Sequence, residues 1–128
     1  CTMTLKALKT IETAVAKNKS LYFHCTVGED RTGYLAGLWG LWAGTYTSVP
    51  QSVKEELCAR GYEAGNKDKP YKNVVLKIRE TLTPTYLKMV MVLADARNRG
   101  QDLSPGLCET EPELKVSVEK YYCAKDLL

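Results

Sequence analysis

Histidine is almost absent from this sequence: the chain of 128 residues contains one, His24. The cysteines form no CxxC pair, and a single histidine cannot complete a Cys/His zinc site. No run reaches the roughly eighteen apolar residues that a membrane-spanning helix needs, since glycines and polar residues interrupt the most apolar segment, residues 34–49. We therefore expect no metal, no cofactor and no membrane span.

A large charge of one sign is also absent. The formal net charge is +3, which is compatible with anionic substrates. The nearest candidate for a basic patch, residues 67–72, is short and contains Asp68, so a solvated loop is the favoured interpretation. Without a concentrated basic patch we do not expect nucleic-acid binding.

Five cysteines are present, and they leave the compartment open. If Cys25 is a nucleophile it has to stay reduced, and the others either pair or remain buried thiols. Spacing does not decide whether Cys58, Cys108 and Cys123 form disulfides. A cytoplasmic location is slightly favoured, and a secreted or periplasmic location is the alternative that five cysteines allow. The chain begins at Cys1 without a methionine or a signal peptide, so we expect an upstream segment to have been removed or left out.

The apolar spacing predicts a mainly helical chain with one strand. The predicted strand is residues 19–24, because Leu21-Tyr22-Phe23 is a short, aromatic-rich run. From Pro112 onward helix and strand signals compete, and a helix is favoured. Five further helices are predicted, at residues 4–17, 32–44, 50–58 and 72–82 and from an N-cap at Thr83 with Pro84 in the first turn.

The predicted helix over residues 32–44 is unusually rich in glycine. Glycine lowers helix propensity, so a close approach of another backbone is the expected compensation. The glycines concerned are Gly33, Gly37, Gly40 and Gly44.

The segment between the predicted strand and this helix has the composition of an anion-binding loop. Backbone N–H groups from Thr26 to Arg31 can curl around a phosphate, and the helix N-terminus adds a partial positive charge. That field is expected to lower the pKa of the Cys25 thiol below about 8.5, which favours the nucleophilic thiolate. Arg31 can bridge two phosphate oxygens, and Thr32 offers a hydroxyl to the sulfur.

His24-Cys25, five residues and Arg31-Thr32-Gly33 resemble the phosphate-binding loop of the protein tyrosine phosphatase superfamily. Residues 57–62 are similar to the corresponding segment of compact dual-specificity and atypical phosphatases, so the resemblance covers about the first half of the chain. It implies hydrolysis of phosphate monoesters through a phosphocysteine intermediate. The implied nucleophile is Cys25, and Arg31 binds the phosphate in the transition state.

The resemblance also implies roles for the other residues of the loop. Thr32 stabilises the thiolate, and His24 orders the loop and supports the thiolate. The remaining positions contribute backbone amides to substrate binding or allow the close packing that the loop needs: Thr26, Val27, Gly28, Glu29 and Gly33.

The implied fold is α/β: a three-layer tyrosine phosphatase-like fold, with a central sheet flanked by helices. Residues 1–128 are then a single phosphatase domain. A lone strand is unstable because its backbone groups need neighbours. The remaining strands are therefore expected upstream of Cys1.

Two acidic residues depart from the usual pattern of the family. The general acid of these enzymes usually lies upstream of the loop, and Asp30 is the visible candidate for it here, although it could instead orient Arg31 or nearby amides. Glu29 disfavours heavily charged substrates. The substrate is left open between a phosphorylated protein or peptide and an inositol phosphate or phosphoinositide. The alternatives to a phosphatase are a non-catalytic module that binds phosphorylated ligands, and sulfur transfer or arsenate reduction on the same type of loop.

Overall fold

The computed structural model describes residues 1–20, 30–59, 71–109 and 113–123. Their regular secondary structure consists of helices. Five α-helices are present: α1 (Thr2–Ala16), α2 (Asp30–Ala43), α3 (Val49–Ser52), α4 (Tyr71–Glu80) and α5 (Leu82–Asn98). A π-helical segment, Val53–Cys58, continues α3 without a break, and two short 3₁₀ helices follow at Pro105–Cys108 and Val118–Tyr121.

The predicted three-layer α/β fold with a central sheet is wrong for this part of the chain, because no strand occurs among the described residues. Lys19 and Ser20, at the start of the predicted strand, are irregular, and residues 21–24 lie outside the description. The apolar faces of the helices close directly against one another. The central place expected for a sheet is taken by α5, which packs against α2, α4 and both 3₁₀ helices.

The core confirms most of the predicted apolar faces. Leu5, Leu8 and Ile11 of α1 are buried, whereas Val15, predicted on the same face, is 59% exposed. The prediction that the long helix is buried on most sides is confirmed, because α5 buries residues all along its length. These are Thr83, Tyr86, Leu87, Met89, Val92, Leu93 and Ala96.

Several predicted helix starts differ from the structure: α1 and α2 begin at Thr2 and Asp30, two residues before the predicted starts at residues 4 and 32. The N-cap of α5 is Thr81. Thr83 lies inside the helix, buried, and its hydroxyl has no hydrogen-bond partner within the described residues. Pro84 is still accommodated in the first turn, where a backbone N–H is not required. The helix predicted from Pro112 is wrong: residues 113–117 are irregular, and only the turn Val118–Tyr121 is helical.

Two disulfides join distant parts of the chain. Cys1 pairs with Cys108, which connects the start of α1 to the first 3₁₀ helix. Cys58 pairs with Cys123, which connects the end of the π-helical segment to the C-terminal segment. These bonds use four of the five cysteines, so no other cysteine of the chain remains to pair with Cys25.

No helix in the described part of the chain has the length and apolar character needed to cross a membrane. The same residues contain no cluster of histidine, cysteine and acidic side chains that could hold a metal ion.

Candidate active site

The described structure contains the C-terminal end of the predicted phosphate-binding loop. Asp30 is the first residue of α2, and Arg31, Thr32 and Gly33 complete its first turn. Arg31 is exposed, Thr32 is half-buried and Gly33 is buried. The other predicted site residues lie outside the described part of the chain: His24, Cys25, Thr26, Val27, Gly28 and Glu29.

The position of Arg31 and Thr32 follows from helix geometry. The first four N–H groups of an α-helix have no partner within the helix, and the aligned peptide dipoles leave about half a positive charge at this end. An arginine in the first turn adds a full positive charge and several N–H donors. The N-terminus of α2 therefore supplies N–H donors and positive charge at the point where the predicted loop ends, while Asp30, the first residue of the helix, adds one carboxyl group there.

Gly33 lets α2 lie against the backbone of the π-helical segment. A Cβ atom added at Gly33 would overlap the carbonyl oxygen of Glu56. The prediction of a close backbone contact is confirmed at this position. Gly37 and Gly40 lie against the rings of Tyr86 and Tyr46. Gly44 serves a different purpose from the predicted packing, because it ends α2 with a φ of +85°, a conformation that favours glycine.

Tyrosine hydroxyls fix the orientation of α2 relative to its neighbours. The hydroxyl of Tyr34 hydrogen-bonds that of Thr4 on α1 at 3.0 Å. The rings of Tyr34 and Tyr86 meet edge to face, with centroids 5.9 Å apart. Tyr86 in turn donates to Ser52 Oγ at 2.7 Å. These contacts join four helices in the order α1, α2, α5 and α3. They involve the N-terminal half of α2.

The ionisation of these tyrosines is suppressed. Burial raises the pKa of Tyr34, an effect that its hydrogen bond with Thr4 partly opposes. Burial also raises the pKa of Tyr86, and the nearby Glu56 carboxyl acts in the same direction. Both hydroxyls therefore stay neutral near pH 7 and remain available for hydrogen bonding.

Glu56 is a second buried polar group behind the first turn of α2. Its side chain is 6% exposed, and its Oε1 accepts a hydrogen bond from the hydroxyl of Tyr46 at 2.5 Å. Five residues that support α2 were not predicted from the sequence: Tyr34, Tyr46, Ser52, Glu56 and Tyr86. The available signal was the glycine spacing in α2, which marks the face that Glu56, Tyr86 and Tyr46 contact.

The far end of α2 is anchored to α1 and α5 through Trp42. Its indole Nε1 donates to Glu12 Oε2 at 3.1 Å. The guanidinium of Arg97 stacks on the Trp42 ring at 4.1 Å and donates to the Trp42 carbonyl oxygen. Contacts with neighbouring helices therefore fix both ends of α2, and the position of its first turn, which carries Arg31 and Thr32, is fixed with them.

Comparison with known proteins gives one match that bears on this site. Residues 2–49, well under half of the chain, match the model of the tyrosine phosphatase family. No significant match was found among curated proteins or among solved structures. The matched span contains α1, the predicted loop and α2. It supports a relationship with the tyrosine phosphatase-like superfamily and suggests a phosphatase with phosphorylated substrates.

Proposed function

We propose that this chain is a cysteine-dependent phosphatase that hydrolyses phosphate monoesters, with phosphotyrosine-type proteins or peptides as its substrates. The observation that carries the proposal is the family match over residues 2–49, because that span contains Cys25, Arg31 and Thr32 in the order and spacing of the phosphatase loop.

The proposed reaction has two steps. The Cys25 thiolate attacks phosphorus, a sulfur–phosphorus bond forms, and the bond from phosphorus to the ester oxygen breaks. A carboxylic acid, for which Asp30 is the candidate, gives its proton to the leaving oxygen. Water then attacks the phosphocysteine and loses a proton to the same carboxylate. Phosphate leaves, and the thiolate is regenerated.

Arg31 and the helix N-terminus supply the electrostatic part of this reaction. A planar guanidinium can bind two phosphate oxygens in parallel, which a lysine cannot do. Donors that are already in position cost no reorganisation when charge develops in the transition state. The packing of Gly33 and the tyrosine contacts of α2 support the proposal because they hold this turn in place.

The disulfide pattern is consistent with Cys25 as the nucleophile. The other four cysteines are paired with one another, so an internal disulfide does not compete for the Cys25 thiol. The acidic neighbour Glu29 favours a phosphorylated polypeptide over a heavily charged inositol phosphate, since a carboxylate beside the loop repels additional phosphates.

The test is turnover of an aryl phosphate by Cys25→Ser, with Arg31→Lys as a second variant that retains the positive charge. Turnover is expected to fall by roughly three orders of magnitude or more for Cys25→Ser, and substantially for Arg31→Lys because the bidentate contact is lost. Circular dichroism and thermal unfolding check that both variants fold. Undiminished turnover by Cys25→Ser would exclude the mechanism.

Two further arms of the same experiment separate the alternatives. Asp30→Asn is compared with wild type on substrates with good and poor leaving groups. If Asp30 is the acid, the variant loses most activity on the poor leaving group. A panel of phosphotyrosine peptides, inositol hexakisphosphate and phosphoinositides identifies the substrate class. Binding of phosphopeptide without any turnover would instead support a non-catalytic binding module.

A further inference from the structure

A basic groove runs along one side of α1, apart from the residues of the phosphate-binding loop. Its volume is about 610 Å³, and among the described residues that line it four are lysines and none is acidic. Leu5 and Leu103 also line it but are almost fully buried, so its accessible apolar surface comes from the other lining residues. The remaining lining residues are Lys6, Lys9, Thr10, Thr13, Ala14, Lys17, Lys19 and Pro105.

Among the described residues, acidic groups form a salt bridge with one lysine of this groove. Lys9 forms a salt bridge with Glu12 at 2.8 Å, and this hydrogen bond raises the pKa of Lys9, with a smaller contribution from Asp102. The other oxygen of Glu12 is directed to Trp42 on α2. Lys6, Lys17 and Lys19 form no ion pair with any residue that the structure describes, so three positive charges face solvent along the groove.

The shape of the groove favours an extended occupant. Lys6 and Lys17 are eleven residues apart, which corresponds to about 16 Å along a helix. An extended polypeptide covers that distance with about five residues. A compact polyanion, such as a single inositol phosphate, would contact only part of the groove and would leave its apolar surface uncovered. A polypeptide with acidic side chains at intervals matches both the charge and the length.

The covalent chain keeps this groove close to the candidate nucleophile. Lys19 precedes Cys25 by six residues, so their Cα atoms are at most about 22 Å apart even if the chain between them is fully extended. An acidic residue about six positions from a phosphorylated residue could therefore reach Lys19 while the phosphate is at Cys25.

We propose that the groove of α1 binds acidic residues that flank the phosphorylated residue of a polypeptide substrate. This proposal rests on the proposed phosphatase function and specifies its substrate class. The flanking acidic residues add long-range attraction and several exposed ion pairs, which raise kcat/KM for acidic substrates over neutral ones of the same length.

The test compares two phosphotyrosine peptides that differ only in their flanks, Asp and Glu in one and Asn and Gln in the other. Wild type is expected to prefer the acidic peptide by about tenfold in kcat/KM at low salt, and the preference shrinks as salt screens the charges. In Lys17→Gln/Lys19→Gln the ratio falls by about fivefold, as expected for the loss of two exposed ion pairs. Glutamine is chosen instead of glutamate, because a negative charge at the C-terminus of α1 would interact unfavourably with the helix dipole.

The matched control is Lys77→Gln/Lys115→Gln, which removes the same charge at two exposed positions outside the groove. The control keeps the wild-type ratio. Because the readout is a ratio of two substrates on one preparation, a partly unfolded or less active variant does not imitate the effect. An equal ratio in wild type and in Lys17→Gln/Lys19→Gln would overturn the proposal.

The failure of the groove and the failure of the phosphatase proposal are distinguishable. Turnover of an aryl phosphate with no preference between the peptides overturns the groove alone. If no phosphate is turned over, fluorescence anisotropy with the unphosphorylated acidic peptide still measures the groove, and loss of binding in Lys17→Gln/Lys19→Gln supports it. Vesicles with anionic headgroups are the third arm: lysine-dependent vesicle binding without any peptide effect would overturn the polypeptide assignment.

Discussion

Replacing Gly33 with alanine tests whether the first turn of α2 is held by backbone contact with the π-helical segment. A Cβ atom at this position would overlap the carbonyl oxygen of Glu56. That oxygen belongs to the backbone, so it cannot turn away as the tip of a side chain could. To accommodate the methyl group, α2 and the segment Val53–Cys58 have to move apart.

The expected free-energy change is the difference of two opposing effects. Alanine is favoured over glycine in a helix by about 1 kcal/mol. Overpacking costs about 1–3 kcal/mol, and the rigid backbone contact places Gly33→Ala at the upper end of that range. The net result is a loss of about 2 kcal/mol in the free energy of unfolding, or roughly 5–10 °C in Tm for a domain of this size.

The assay is urea unfolding followed by circular dichroism, together with aryl phosphate turnover by the folded fraction. A displacement of the first turn of α2 also moves Arg31, so turnover is expected to fall by about tenfold or more. The control is Gly106→Ala, where the nearest atom is Ser104 Oγ at 3.7 Å and the free energy should change by less than about 0.5 kcal/mol. If Gly33→Ala is as stable as wild type or more stable, helix propensity dominates and the packing argument is refuted.

Two other predictions concern stability. The double variant Cys58→Ser/Cys123→Ser removes a disulfide that joins residues 65 positions apart. It should lower the free energy of unfolding by about 2–4 kcal/mol, measured by denaturant titration. An unchanged free energy would mean that the bond does not form. Burial raises the pKa of Tyr86 above its ordinary value, so the unfolded chain loses this proton first and stability falls as pH rises above about 10. Between pH 10 and 11 wild type should lose about 1 kcal/mol more than Tyr86→Phe, and equal losses would contradict a raised pKa.

Sequence patterns predicted the helices because helix formation depends on residues that are close together in the chain. The spacing of Leu5, Leu8 and Ile11 identified the buried face of α1, since residues three and four apart share one side of a helix. The glycine content of α2 likewise predicted the close backbone contact at Gly33. The N-cap of α5 was misplaced because Thr81 and Thr83 are both threonines near Pro84, and sequence alone does not tell which of two similar caps the helix uses.

The sheet and the disulfides depended on information that short patterns do not contain. The central sheet came from the family resemblance and from one predicted strand, whereas the described residues bury their apolar faces between helices. The pairing of Cys1 with Cys108 and of Cys58 with Cys123 joins positions that only the tertiary structure brings together. Four cysteines allow three pairings, and spacing does not choose among them.

The helix that carries Arg31 and Thr32 was predicted from the sequence, whereas the contacts that support it were not. Arg31 and Thr32 both lie in the first turn of α2, which begins at Asp30, whereas the sequence predicted a helix from Thr32 with Arg31 in the loop. Tyr86 and Ser52, which help to hold that helix, are 34 positions apart in the chain. Their hydrogen bond depends on how α3 and α5 pack, and no local pattern carries that information.

The two disulfides and the proposed thiol nucleophile require opposite redox conditions in an activity assay. Reducing agents that would keep the proposed nucleophile Cys25 reduced also attack the Cys1–Cys108 and Cys58–Cys123 bonds. An oxidising buffer that preserves those bonds leaves Cys25 without an internal partner, so its oxidation yields sulfenic acid, a mixed disulfide or a crosslink to a second chain. Activity is therefore expected to pass through a maximum as the thiol/disulfide ratio of the buffer is varied.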